Sequence, residues 1–470
     1  MIFNPQNIVK AEGSFVFSGA VKATANHCLN KDIIKEFWHN FTFHSSTLEI
    51  NVTNEFIFSV GDVKPYLLDG ADYSINIEKN GFCVFAENEK NLLCGLMTLF
   101  DRLKAVDKDE ELAVEIENCQ IRESALIKNR MVHFCIFPET ELWELQRFVR
   151  FCGALKYTHI VLEFWGMLKY DCLKELSWPQ AFSKDQIRPI IQEANDLGLE
   201  VVPMFNHWGH ASSGRVMHGK HVVLDQNPML QTYFSQEGWC WDIRKPKVRE
   251  LMCKIRAELV ELCGNGRYFH IGCDEAYNFD FSKESMDHFC DYINEISDEL
   301  KLVNRKAIMW GDMFLYRHSH YSEANKNRYT CNAPSAEIEE YLLKSLKRDV
   351  IIADWQYSTA KAPVETASVF TQKGFECLLC PWDCGKAPLN AALTTAKTQN
   401  ISGIIHTTWH TLSSGTLYVT AASIGCYEEI GDRSECELLT VSASLNRKVM
   451  NVNGDYVKAG WSKFQVSNKW

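Results

Sequence analysis

Arg267-Tyr268-Phe269-His270-Ile271-Gly272-Cys273-Asp274-Glu275 reads as an aromatic-rich strand that runs out through a glycine into two adjacent carboxylates. Ionised carboxylates need solvent, partners or a chemical task, so an apolar strand ending in Asp-Glu marks a functional strand end. The same rhythm recurs on either side. Candidate strands fall at 131–137, 159–164, 200–205, 268–272, 306–310, 350–355, 376–380 and 403–408, and amphipathic stretches such as 185–197 and 247–262 separate most of them. Eight strands alternating with helices are what an α/β fold of the (β/α)8 TIM barrel type requires. An open doubly wound sheet is the alternative, but no Gly-x-Gly-x-x-Gly turn follows an early strand.

Residues 1–118 follow another pattern. Segments 47–52 and 73–77 alternate as strands, 91–103 reads as an amphipathic helix, and a charged stretch at 106–111 precedes a short strand at 112–116. The expected organisation is a small, non-catalytic α+β domain over 1–118 followed by the barrel over 119–470.

The composition narrows the partners. Of 470 residues, 46% are hydrophobic and 23% charged, as in ordinary globular proteins. A formal net charge of −11 disfavours nucleic acid. No apolar run approaches the ~18 residues of a membrane span, and Met1–Asn7 shows no secretory leader pattern. The 18 cysteines are scattered through apolar segments, which fits reduced thiols and a cytoplasmic location. Cys377-Leu378-Leu379-Cys380 has no second pair at zinc spacing and reads as a buried strand. The sequence leaves the oligomeric state open, a homodimer being the commonest assembly of soluble oligomers.

A barrel places its functional side chains where strands end. Here those ends are rich in tryptophan, histidine and carboxylate: Glu163 and Trp165, His207, Trp208 and His210, Asp274 and Glu275, Trp310 and Asp312, Trp355 and Tyr357, Trp382 and Asp383, Trp409 and His410. A pyranose offers an apolar face to an aromatic ring and hydroxyls to acids and histidines, so this recurrence points to a sugar pocket.

Two carboxylates are the usual equipment for glycoside cleavage, about 5 Å apart where one is a nucleophile. Sequence neighbours diverge at a strand end, so Asp274 and Glu275 suit different parts of one sugar instead. The pattern His-x-Gly-x-Asp-Glu at His270–Glu275 resembles the signature of the family 20 glycoside hydrolases, the β-N-acetylhexosaminidases. Val201-Val202-Pro203-Met204-Phe205-Asn206-His207-Trp208-Gly209-His210 is similar to that family's third-strand motif Pro-Glu-x-Asp-x-Pro-Gly-His, with His210 at the terminal position. The helix at 91–103 likewise resembles the one in the domain preceding many family 20 barrels.

The resemblance implies exo-acting, retaining hydrolysis of a terminal β-linked N-acetylhexosamine, with β-N-acetylhexosaminide glycans or oligosaccharides as substrates and no metal or organic cofactor. It implies Glu275 as general acid, Asp274 on the 2-acetamido group, and His210 supporting the pair. Trp310, Trp355 and Trp409 match its pocket tryptophans, and Asp383 its hydroxyl-binding acid. The chain also departs from the pattern. Phe137-Pro138-Glu139 stands where the family has a sugar-binding Arg, and Leu162-Glu163-Phe164-Trp165 replaces Leu-His-Leu-x-Asp, leaving Glu163 as the substitute hydroxyl ligand. Trp-x-Glu becomes Trp409-His410-Thr411. Pro381 falls near the tyrosine that binds the acetamido oxygen, so Tyr357, then Tyr277, is the expected replacement.

Two other classes remain. A metal-dependent hydrolase would draw ligands from His207, His210, His270 and Asp274. A non-catalytic sugar-binding barrel would keep the aromatic pocket without turnover.

Overall fold

In the computed structural model the described residues are 1–211, 223–319, 321–322, 328–409, 416–431 and 433–449. The strands, in chain order, are β1 (Asn7–Phe17), β2 (Gly19–Asn26), β3 (Ser46–Thr53), β4 (Ile57–Val60), β5 (Tyr73–Glu78), β6 (Gly81–Ala86), β7 (Lys104–Lys108) and β8 (Glu111–Glu123). These form one sheet in the order β1-β8-β5-β6-β4-β2-β3, with β7 also on β8; only β2 and β3 run parallel. Helices α1 (Lys31–Phe41) and α2 (Glu89–Asp101) pack their apolar stripes on it. Trp38 of α1 meets Phe82 and Phe58 of the sheet and Phe100 of α2. Asn30 and Asn88 cap the two helices by accepting backbone N–H bonds.

The charged stretch at 106–111 is not a plain connector. It holds the end of β7 and the tip of a hairpin, where Asp109 and Glu110 take left-handed backbone and Glu110 N–H donates to Asp107 Oδ1 at 3.0 Å. The strand expected at 112–116 extends to Glu123, so position 118 lies inside β8.

The remaining strands are β9 (Asn129–Cys135), β10 (His159–Glu163), β11 (Glu200–Met204), β12 (Tyr268–His270), β13 (Lys306–Trp310), β14 (Ile351–Asp354), β15 (Cys377–Leu379) and β16 (Gly403–His406). Every neighbouring pair is parallel, and β16 pairs β9 to close the barrel. Each of the eight expected strands is present. Most stop one or two residues earlier than their apolar runs, because the last residues leave the ladder to line the mouth. Alternate side chains, among them Met131, Val161, Met204, Ile308, Ala353, Leu378 and Ile405, fill the interior as a cluster separate from the strand–helix layer. Helices such as Lys184–Asp196, opened by a Ser183/Gln186 capping box, and Pro246–Cys263 cover the outside.

A buried lysine joins the two parts. Lys156 Nζ donates to Glu123 Oε2 (2.7 Å), Thr98 Oγ1 (3.0 Å) and Tyr73 OH (3.1 Å), and lies over the rings of Phe3 and Tyr427. Three acceptors satisfy its three protons, which is how a charged amine is tolerated in the core. Among the described residues no helix is long and apolar enough to cross a membrane.

Candidate active site

Beyond His270 the chain kinks out of the barrel. Gly272 and Cys273 take φ of 66° and 74°, and Glu275 takes 49°. Left-handed backbone at non-glycine residues costs about 1–3 kcal/mol each and persists only where surroundings fix it. Here both polar groups of the Glu275 backbone are held. Its N–H donates to Asp312 Oδ2 at 3.0 Å, and its carbonyl accepts from Trp239 Nε1 at 2.6 Å and from Tyr277 N–H at 2.8 Å. The turn also interlocks with the loop after β11. A Cβ on Gly272 would stand 1.6 Å from Asn206 Oδ1, and one on Gly209 would stand 1.9 Å from the Asp274 carbonyl. Only glycine permits either approach.

That interlock delivers His210 to the acids. Its Nε2 lies 2.9 Å from Glu275 Oε2 and 3.4 Å from Asp274 Oδ2, and its ring packs 4.5 Å from Trp239. Asp274 is 7% exposed, and its Oδ1 has no hydrogen-bond partner among the described residues. Burial pushes the Asp274 carboxyl up to about 7; the charges of Asp312 and Glu275 add to this and His210 opposes it. Burial likewise lifts Asp312 to about 6, against bonds from the Glu275 N–H, Trp355 and Asn332. Asp354, below it, is lifted by burial to about 6 against bonds from Thr366 and Gln356.

An aromatic wall faces these acids across the barrel end. Trp310 and Trp409 lie 6.0 Å apart, Trp355 and Tyr357 5.0 Å, and Tyr357 and Trp382 5.3 Å. Trp409 Nε1 donates to Tyr357 OH at 2.7 Å, and the Thr407 hydroxyl lies 3.2 Å from both that oxygen and the Pro381 carbonyl. The indole occupies one lone pair of the phenol oxygen, which keeps a proton of its own to donate. Burial holds that proton on by raising the Tyr357 pKa.

The structure thus brings Asp274, Glu275 and His210 into one cluster and sets Trp355, Tyr357 and Trp409 together at the same barrel end. Trp310 is only 1% exposed and packs 4.3 Å from His270, forming floor more than wall. Asp383 is half-buried at the exit of β15. Glu163 is also 1% exposed, and its carboxylate meets His133 Nε2 at 3.1 Å and Asn206 Nδ2 at 3.3 Å. It underlies the pocket, rather than opening into it as a hydroxyl ligand would. Tyr277, the second choice for the acetamido oxygen, is 42% exposed and stacks on Trp239. His410 and Thr411 lie outside the described residues.

Of the residues weighed as metal ligands, His207 is buried against the Phe205 carbonyl and His270 against Trp310, whereas His210 and Asp274 do meet. With Glu275 they form a group whose ligand atoms lie within 4.8 Å of one another.

His133, Trp239 and Asn332 were not singled out from sequence. His133 shows only as one polar residue in the run Met131-Val132-His133-Phe134-Cys135. Trp239 lies in the long connection between β11 and β12, and that length is itself the signal that could have drawn attention there.

Residues 162–410 match the model of the glycosyl hydrolase family 20 catalytic domain. No curated protein matches the chain. Among solved structures, the exo β-N-acetylglucosaminidase of Vibrio harveyi is similar at 16% identity and TM-score 0.68, covering 95% of this chain and 77% of that one. A β-N-acetylhexosaminidase of Streptomyces coelicolor is similar at 13% identity and TM-score 0.64, over 95% of each chain. One from Bacteroides fragilis gives 15% identity and TM-score 0.58, over 98% of this chain and 94% of that one. At these identities the likeness is one of fold.

Proposed function

The chain belongs to glycosyl hydrolase family 20, and from that premise we propose that this glycoside hydrolase is an exo-acting β-N-acetylhexosaminidase that retains anomeric configuration by using its substrate's acetamide as nucleophile. The observation that carries this reading is the buried Asp274 carboxylate, with one oxygen against His210 and the other without a protein partner among the described residues. An acetamido N–H is the donor that oxygen lacks.

In this reading the ionised Asp274 accepts the acetamido N–H and turns the amide oxygen toward the anomeric carbon. Tyr357, with its oxygen held by the Trp409 indole, donates a hydrogen bond to that amide oxygen. As the C–O bond breaks, Glu275 transfers its proton to the leaving oxygen, and the amide oxygen closes on the anomeric carbon as an oxazolinium ion. Glu275 then takes a proton from water, whose oxygen adds to the same carbon from the side the aglycone left. Two inversions give retention. Trp355 and Trp409 supply the apolar faces, and Asp383 a hydroxyl ligand.

The assay uses paired aryl β-glycosides, one with a 2-acetamido group and one with a 2-hydroxyl, on wild type and Asp274→Asn. Activity confined to the acetamido substrate and lost in the variant is expected; equal rates on both would mean a protein nucleophile. A second reading, metal-assisted hydrolysis, is favoured by the His210–Asp274–Glu275 group alone. Activity abolished by a strong chelator and restored by a divalent metal would select it. A cytoplasmic location is part of the proposal, supported by cysteines that are all free and mostly buried.

A further inference from the structure

Asp312 takes no part in the chemistry above, yet its carboxylate accepts three hydrogen bonds at the barrel mouth. Its Oδ2 accepts from the Glu275 backbone N–H at 3.0 Å and from Asn332 Nδ2 at 2.7 Å. Its Oδ1 accepts from the Trp355 indole at 3.1 Å, and its own carbonyl accepts from Asn332 N–H at 2.9 Å. The segment that brings Asn332 is itself fixed. Thr330 N–H donates to Gln356 Oε1 at 2.8 Å, while Gln356 Nε2 donates to the Thr330 carbonyl at 3.3 Å and to Asp354 Oδ1 at 2.9 Å. One carboxylate therefore ties together the exits of β12, β13 and β14.

We propose that Asp312 is a positioning residue, locking the left-handed backbone of Glu275 to the indole of Trp355 so that the acid and the pocket wall keep one fixed relation. The role rests on the reading of Glu275 as general acid. Both carboxylate oxygens are needed, because each faces only N–H donors. An asparagine has a single acceptor oxygen, and its amide would oppose either the Glu275 N–H or the Trp355 indole. Glu275 would then lose one of the three bonds that hold its backbone, and its carboxyl would drift from the glycosidic oxygen. Drift of this kind harms proton transfer more than sugar binding.

The test measures kcat/KM on two aryl or alkyl β-N-acetylglucosaminides, one with a dinitrophenolate leaving group and one with an unactivated alcohol. For Asp312→Asn, a loss of about 10- to 100-fold is expected on the alcohol substrate, the scale of one bond to a charged group. On the dinitrophenyl substrate, which departs without a proton, less than about fivefold is expected. Asn332→Ala removes one donor from Asp312 without changing the wall, and should give the same selective loss at about 3- to 10-fold. It decides the matter if Asp312→Asn fails to fold. Equal losses on both substrates, or none, overturn the positioning role and leave the hexosaminidase reading standing. A wild type inactive on both substrates overturns that reading, and the role of Asp312 with it.

Discussion

His210 and Glu275, 65 positions apart in sequence, meet at 2.9 Å between Nε2 and Oε2. The same nitrogen lies 3.4 Å from Asp274, so one imidazole serves both members of a consecutive acid pair. A ring so placed can share a proton with Glu275 while its partial charge steadies Asp274 as an anion. In the proposed mechanism these unlike surroundings give the two acids their separate roles.

Glu275→Gln should lose about 100- to 10,000-fold in kcat/KM on substrates with poor leaving groups, the range general acid catalysis contributes. On a dinitrophenyl glycoside it should retain far more. Steady-state rates on the two substrates check this, and equal loss would contradict the acid role.

Acid should silence the enzyme through Asp274. Its carboxyl, lifted to about 7 mainly by burial, must be ionised to accept the acetamido N–H, so kcat/KM should fall as pH drops below that value. Asp312→Asn removes a negative charge that raises this pKa, so the acid limb should move to lower pH. A profile unchanged in the variant would show that Asp312 carries no charge there.

Asp354 predicts a stability trend with a defined sign. Its folded pKa, about 6, lies above its unfolded value near 3.8, so the native state holds a proton the unfolded chain has lost. Stability from this group is present below pH 3.8 and declines as pH rises toward 6, by on the order of 3 kcal/mol. Asp354→Asn should flatten the fall in thermal midpoint across that interval. Calorimetry at pH 4 and pH 7 measures it, and parallel slopes for both proteins would rule the assignment out.

Lys156→Met should destabilise the protein by about 3–5 kcal/mol, because Glu123 would remain buried without its cation. The residue lies at the junction of sheet and barrel, far from the acids, so kcat/KM of the folded enzyme should be unchanged. A thermal melt read beside an activity assay separates the two effects.

The alternation of apolar strands with amphipathic helices made the barrel legible, since periodicity is a local property that the chain writes directly. The adjacency of Asp274 and Glu275, and the glycine before them, were legible for the same reason. Tertiary structure decided where side chains point after a strand ends. Glu163 turned inward to His133 and Asn206, and Trp310 settled on His270, because barrel closure dictates which residues face the interior. His210 reached Glu275, and Asp312 reached the Glu275 backbone, only through the interlock of two loops at Gly209 and Gly272. Those contacts join residues dozens of positions apart through left-handed turns that no local pattern encodes. The sequence by itself thus determined which chemistry-bearing residues stand at strand ends; the closed barrel decided which of them meet.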